Sequence, residues 1–372
     1  MIRLIVPDID DADVAAVAEV LRSGFLVQGP QVAAFERAYA DVIGAPHCVA
    51  VSNCTSALFL CLQAMDIGAG DEVAVCTYSW PTTANVIRLV GARPLFVDVD
   101  ADTFNMRPDA LAEVAKKATR LRAVMPVHTF GGAADMGGIL AVCRDLGVPC
   151  IEDAACALGT ELHGKKAGAL GDVGCFSLHP RKAITTGEGG MITTSDGALA
   201  KRLRMLRNHG LDPDAPSPDF VMPGHNMRMT DFQAALGLTQ LAKLERIIAS
   251  RIERAAVYDG LLEGTGIRPP RALPESRHVY QSYVTLLPPS ARGARDTIVA
   301  EMKAAGIETT LGTWHMPLIR SYREWGGFRE GDFPVTDEIF ARALTIPLYG
   351  GLTIEQQRYV VDTLVSLVRA RG

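Results

Sequence analysis

Gly174-Cys175-Phe176-Ser177-Leu178-His179-Pro180-Arg181-Lys182-Ala183-Ile184-Thr185-Thr186-Gly187-Glu188-Gly189-Gly190 is the stretch around which the rest of the chain is arranged. An apolar run from Val173 to Phe176 breaks at Ser177, His179 and Pro180 and presents a single lysine, Lys182. After a turn of small polar residues and glycines the chain resumes as Met191-Ile192-Thr193-Thr194. The pattern predicts a strand, a tight loop and a second strand. A lysine fixed between rigid elements is what carbonyl chemistry through a Schiff base requires. A lysine in a glycine-rich loop is otherwise an ordinary solvated side chain, so its role depends on what the rest of the fold brings to it.

Working outward toward the N-terminus, short apolar runs alternate with helical patterns. Strands are predicted at 48–51, 72–75, 94–99, 123–127 and 148–153, with helices over 11–23, 32–43, 57–65, 82–90, 108–118 and 139–146. The strands are nearly continuous in apolar residues, as in a mainly parallel sheet covered on both faces. Ligands of such sheets bind beyond the carboxyl ends of the strands. Ser52-Asn53-Cys54-Thr55-Ser56 lies at one such end, Tyr78-Ser79-Trp80 at another, and Asp153 at a third. Small polar residues between a strand and a helix form an anion site at the positive end of the helix dipole. No Gly-Lys-Ser/Thr follows, so this is not a P-loop.

Toward the C-terminus the pattern changes. Ala234, Leu238, Leu241, Leu244, Ile247 and Ile248 fit one long helix over about 231–262, which bridges two domains, a large one at 1–248 and a small α+β one at 249–372. Residues 264–277 read as a linker, followed by a strand at 283–287 and helices at 296–305 and 354–368.

Composition bounds the function. With 372 residues, 48% hydrophobic and 21% charged, the chain buries a sizeable core and is not disordered. Net charge is -5 without a clustered basic patch, so nucleic acid is not an expected partner. No run of about 18 apolar residues is present, and acidic residues follow the N-terminus too closely for a signal peptide, so no membrane partner and a cytoplasmic location are expected. The 8 cysteines include no Cys-x-x-Cys pair and sit mostly in apolar surroundings, where neither disulfides nor a metal centre are expected.

Lys182, Asp153, Trp80, and Thr55 with Ser177 are the parts a pyridoxal phosphate pocket needs: an amine for the aldehyde, a carboxylate for the ring nitrogen, a flat group over the ring and donors for the phosphate. The chain also resembles the sugar aminotransferase family named after its streptomycin, daunorubicin and erythromycin members (DegT/DnrJ/EryC/StrS). The matching stretches are Gln28-Gly29-Pro30, Ser52-Asn53-Cys54-Thr55-Ser56-Ala57-Leu58, Gly70-Asp71-Glu72-Val73 and Pro126-Val127-His128. Ile151-Glu152-Asp153-Ala154-Ala155, the Phe176–Gly190 loop and Gly224-His225-Asn226-Met227-Arg228-Met229-Thr230 continue them in order.

The resemblance implies an α/β type I aminotransferase fold with a mostly parallel, seven-stranded-type sheet, and a homodimer with shared active sites. It makes Lys182 the Schiff-base lysine, Asp153 the partner of the pyridinium nitrogen and Trp80 the stacked aromatic. Thr55, Ser56 and Ser177 become phosphate contacts, Asn226 a phosphate contact from the partner subunit, and Arg228 a support for that loop. For Lys182 to act as a base near neutral pH, its surroundings must lower its pKa. His179, Arg228, Trp314 and His315 are substrate candidates, although His179 also fits a loop-shaping role.

The implied reaction is transamination of a keto-sugar, nucleotide-linked and of the 4-keto-6-deoxy type, with L-glutamate as donor, in amino-sugar biosynthesis for a polysaccharide or antibiotic. Amination of a 3-keto-sugar or an inosose stays open. A pyridoxal phosphate-dependent sugar dehydratase is disfavoured by Lys182, since such relatives carry histidine there. A cofactor-binding sensor is disfavoured by the lack of an attached DNA-binding module. The chain departs from the family at Cys156, where Gln or His is usual near the cofactor's phenolic oxygen, and at 313–319, which lacks the usual histidines.

Overall fold

The computed structural model describes residues 1–371. The apolar runs form β1 (His47–Val51), β2 (Glu72–Cys76), β3 (Arg93–Val97), β4 (Leu121–Met125), β5 (Ile151–Asp153), β6 (Val173–Ser177) and β7 (Gly190–Thr194). One half of the sheet has the order β1-β7-β6-β5 and the other β4-β2-β3. Parallel bridges Val124–Cys150 and Val127–Asp153 join β4 to β5, making a single seven-stranded sheet. β7 is antiparallel to both its neighbours, and the other strands share one direction.

Helices Cys54–Ala64, Thr82–Leu89, Pro108–Ala115 and Gly197–Arg207 pack on this sheet. Helices Pro30–Ile43 and Asp231–Ala242 build a second core layer. There the Tyr39 ring meets Phe35 and Phe176 edge-on, with ring centroids 5.7 and 5.4 Å away. Each such fully buried ring contributes roughly 1.5–3 kcal/mol. The helix over 197–207 has no counterpart in the sequence expectations. Its start is fixed by Asp196, whose carboxylate accepts from the amides of Ala198 and Leu199.

The single long helix expected over 231–262 is two, Asp231–Ala242 and Leu244–Leu262. The Lys243 amide bonds to Gln240, one turn tightened, while its side chain is drawn to Asp10 (3.0 Å) and Asp13 (2.5 Å) at the first helix, Asp11–Ser23. Beyond it lies an antiparallel sheet of Tyr283–Leu286, Ala343–Ile346 and Thr310–Leu311. Helices Leu244–Leu262, Arg295–Ala304 and Ile354–Arg369 close a core there around Tyr258, Tyr283, Ile298, Leu344 and Leu364. Ile2 pairs with Ile307, and the Leu348 amide donates to Leu4, so the first residues join this C-terminal layer rather than the large sheet. Among the described residues no helix is long and apolar enough to cross a membrane.

Candidate active site

The parallel strands end on one edge, and there the sequence-predicted residues gather. β1 runs into Asn53, which caps the helix Cys54–Ala64 by accepting from the Ser56 amide at 2.8 Å. Ser52 and Ser56 share a hydroxyl–hydroxyl bond of 3.0 Å, and Thr55 is exposed beside them. Gly190 makes this approach possible. It pairs with Val51 on one side and Ser177 on the other, and a Cβ there would lie 2.5 Å from the Asn53 carbonyl carbon. Hydroxyls at a helix N-terminus, next to half-buried Ser177, suit a phosphate.

At the end of β5, Asp153 is 4% exposed. Its carboxylate accepts from the Thr83 hydroxyl at 2.7 Å and the Ala155 amide at 3.2 Å. Burial raises its pKa against those two bonds and the nearby Lys182 amine. Thr83 was not singled out in the sequence. Its place in the first turn of Thr82–Leu89 puts it against Asp153. A buried carboxylate oriented by a hydroxyl and an amide fits a cationic ring N–H.

The Lys182 loop is tied along its main chain. The Leu178 amide donates to Gly189 at 2.9 Å, Thr186 to Leu178 at 3.0 Å, and Lys182 to His179 at 2.8 Å. From outside, Arg251 donates to the Lys182 carbonyl at 3.3 Å and Gln281 to the Arg181 carbonyl at 2.8 Å. Both clamps come from beyond residue 249 and have no local sequence signal. The half-buried Lys182 amine reaches Cys156 Sγ at 3.2 Å. Burial pushes its pKa down, but Cys156, Cys54 and Asp153 push it up, and the balance lies above the ordinary lysine value. The expected lowering is therefore not what these side chains produce. Acidic neighbours outweigh desolvation.

Trp80 is 62% exposed, with its carbonyl accepting from the Thr83 amide and hydroxyl. It is free to cover a flat ring. The short strand Tyr78–Ser79 pairs with Trp314–His315, so Trp314 faces Ser79, next to Trp80 in the chain. Trp314 is 37% exposed.

Two of the other substrate candidates, His315 and His179, serve the fold. His315 is 1% exposed, bonded to Asp337 at 2.9 Å and set edge-on to Phe333 and Phe340. A side chain closed in this way has no face for substrate. His179 accepts from the Arg181 amide at 3.2 Å, which is the loop-shaping role, and burial lowers its pKa. Arg228 donates to Asn208 at 2.6 Å, and Asn226 is exposed one residue before Met227, whose carbonyl accepts from the Ser52 amide.

A seven-stranded sheet of this order, with a lysine and a carboxylate at its carboxyl edge, is the architecture of a fold type I pyridoxal phosphate-dependent enzyme. The chain belongs to the DegT/DnrJ/EryC1/StrS aminotransferase family, whose model matches residues 7–365. It is 36% identical to the spore coat polysaccharide biosynthesis protein SpsC of Bacillus subtilis strain 168, over 98% of this chain and 96% of that one. Spr1654 from Streptococcus pneumoniae, assigned as a sugar aminotransferase and solved in its PMP-form, superposes with a TM-score of 0.95 over all of both chains at 28% identity. PseC of Helicobacter pylori, an aminotransferase involved in pseudoaminic acid biosynthesis, gives a TM-score of 0.93 at 25% identity over 99% of both chains.

Proposed function

We propose that this chain transfers the amino group of L-glutamate to a nucleotide-linked 4-keto-6-deoxy sugar, with Lys182 as its catalytic residue. The observation that carries the reading is the convergence of the Lys182 amine and the buried Asp153 carboxylate on one sheet edge, beside the Asn53-capped helix. Bound pyridoxal 5'-phosphate supplies the electron sink that makes the donor's α-hydrogen acidic.

Lys182 Nζ would hold the cofactor's aldehyde and, once free, would move a proton to and from the substrate carbon. Asp153, oriented by Thr83, would face the ring nitrogen. Ser56, Thr55 and Ser177 would receive the phosphate and Trp80 would cover the ring, while Cys156 stands beside the lysine amine. Trp314, carried on the strand that pairs with Ser79, meets the sugar nucleotide.

A homodimer completes the pocket, with Asn226 of each chain serving the other site. Phe25, Val27, Phe220 and Val221 are 78%, 67%, 64% and 51% exposed in the single chain, large apolar side chains suited to burial against a second copy. The relatives named for polysaccharide and pseudoaminic acid synthesis support a sugar acceptor.

The reading is tested by incubating the holoenzyme with L-glutamate and a panel of keto-sugar nucleotides. Formation of 2-oxoglutarate together with a C4-aminated sugar supports it. Amination at C3, or of no sugar nucleotide, overturns it.

A further inference from the structure

The Lys182 amine has a single hydrogen-bond partner among the described residues, the Cys156 thiol at 3.2 Å. The thiol is held in place by the turn that follows β5. The Ala154 amide donates to Cys175 and the Ala157 amide to Ala154, both at 2.9 Å, while Ala155 donates to Asp153. Cys156 is thus carried on the same short turn that presents the Asp153 carboxylate.

The titratable groups facing Lys182 come from every element packed against it. Asp153 and Cys156 come from β5 and its turn, and Cys54 from the helix Cys54–Ala64. Arg251, from the helix Leu244–Leu262, touches the Lys182 carbonyl, and His179 and Arg181 lie on the lysine's own loop. Asp153 and Cys54 act on the amine through space, without an ion pair or hydrogen bond to it. Cys156 is the group in direct contact with the amine.

We propose that Cys156 is a positioning residue for Lys182: its thiol, by accepting the amine's hydrogen bond, seats the free amine between half-reactions. This rests on Lys182 being the cofactor-holding lysine. Burial alone would release the Lys182 proton easily, and contact with Cys156 works in the opposite sense.

The test is the pH profile of Lys182 acylation in the cofactor-stripped full-length chain, followed by peptide mass mapping. Wild type, Cys156→Ala and the shape-preserving Cys156→Ser are compared, with Cys54→Ala as a control. Both Cys156 variants are expected to move the Lys182 midpoint to lower pH, read as several-fold faster acylation at a fixed pH below the midpoint. The Cys54 variant is expected to move it much less, because its thiol acts without a hydrogen bond to the amine. A midpoint unchanged in either Cys156 variant, or moved as far by Cys54→Ala, overturns the proposal. Its failure is distinct from failure of the functional reading, which is judged separately by whether Lys182 carries the cofactor.

Discussion

The main-chain carbonyl of Lys182 accepts a hydrogen bond from Nη2 of Arg251 at 3.3 Å, while Nη1 of the same guanidinium reaches the Gln281 carbonyl at 3.0 Å. One buried side chain therefore joins the lysine loop to the segment that enters the C-terminal sheet. Arg251 is 3% exposed, and burial lowers its pKa to about 10, so it keeps its charge at neutral pH. Arg251→Lys retains a cation but loses the fork that spans both carbonyls. Leaving a buried carbonyl unpaired costs about 1–3 kcal/mol. The variant is expected to melt several degrees lower and to lose cofactor faster on dialysis. Unchanged melting and cofactor retention would contradict the clamp.

Asp153 and Thr83 should act as a graded pair. Asp153→Asn removes the charge opposite the ring nitrogen, and its turnover is expected to fall by at least about a hundredfold. Thr83→Val removes only the hydroxyl that orients the carboxylate. A hydrogen bond to a charged group is worth about 1.5–3 kcal/mol, so a loss of roughly ten- to a hundredfold is expected. Steady-state rates of both variants check the order, and a Thr83 defect larger than the Asp153 defect would contradict the assignment.

Trp80 and Trp314 are expected to separate cofactor affinity from substrate affinity. Stacking adds about 0.5–1.5 kcal/mol beyond area burial, so Trp80→Ala should weaken cofactor binding several-fold. Trp314→Ala should leave cofactor binding in place and raise the KM for the sugar nucleotide. Titration of the cofactor-free chain with pyridoxal 5'-phosphate and a KM measurement distinguish the two.

His278 should make the fold sensitive to acid. It is 7% exposed, accepts from the Tyr280 amide at 2.9 Å and stacks on the Tyr280 ring at 4.2 Å. Burial lowers its pKa to about 3 from 6.5. Between those values the unfolded chain binds a proton that the folded chain refuses, so the stability present above pH 6.5 is lost as pH falls toward 3. This group contributes a slope of up to about 1.4 kcal/mol per pH unit. Denaturant unfolding from pH 7 to 4 should show a shallower loss for His278→Gln, and equal slopes would contradict the prediction.

Much of the large domain was legible because its strands are short, apolar and punctuated by Ser, Asn, Asp and Gly at their carboxyl ends. Lys182, Asp153 and Ser56 could be placed on one edge from that pattern alone. Chain-distant contacts were not legible. Thr83 lies 70 residues from Asp153, and Arg251 lies 69 from Lys182. His315 looked available to substrate because Asp337, 22 residues later, gives no local sign of claiming it. The strand Ala343–Ile346, central in the small sheet, was missed because four residues after a helix carry little periodicity of their own. The direction of the Lys182 shift depended on the 3.2 Å approach of Cys156, which spacing in the sequence does not encode.

The central claim is that Lys182 is the amine that holds the cofactor. Borohydride treatment of the protein as purified, followed by peptide mass mapping, tests it most directly. A pyridoxyl-phosphate adduct on the peptide containing Lys182, absent from Lys182→Ala treated in the same way, is the predicted result. An adduct on another lysine, or a Lys182→Ala protein that keeps its visible cofactor absorbance and its turnover, would contradict the account.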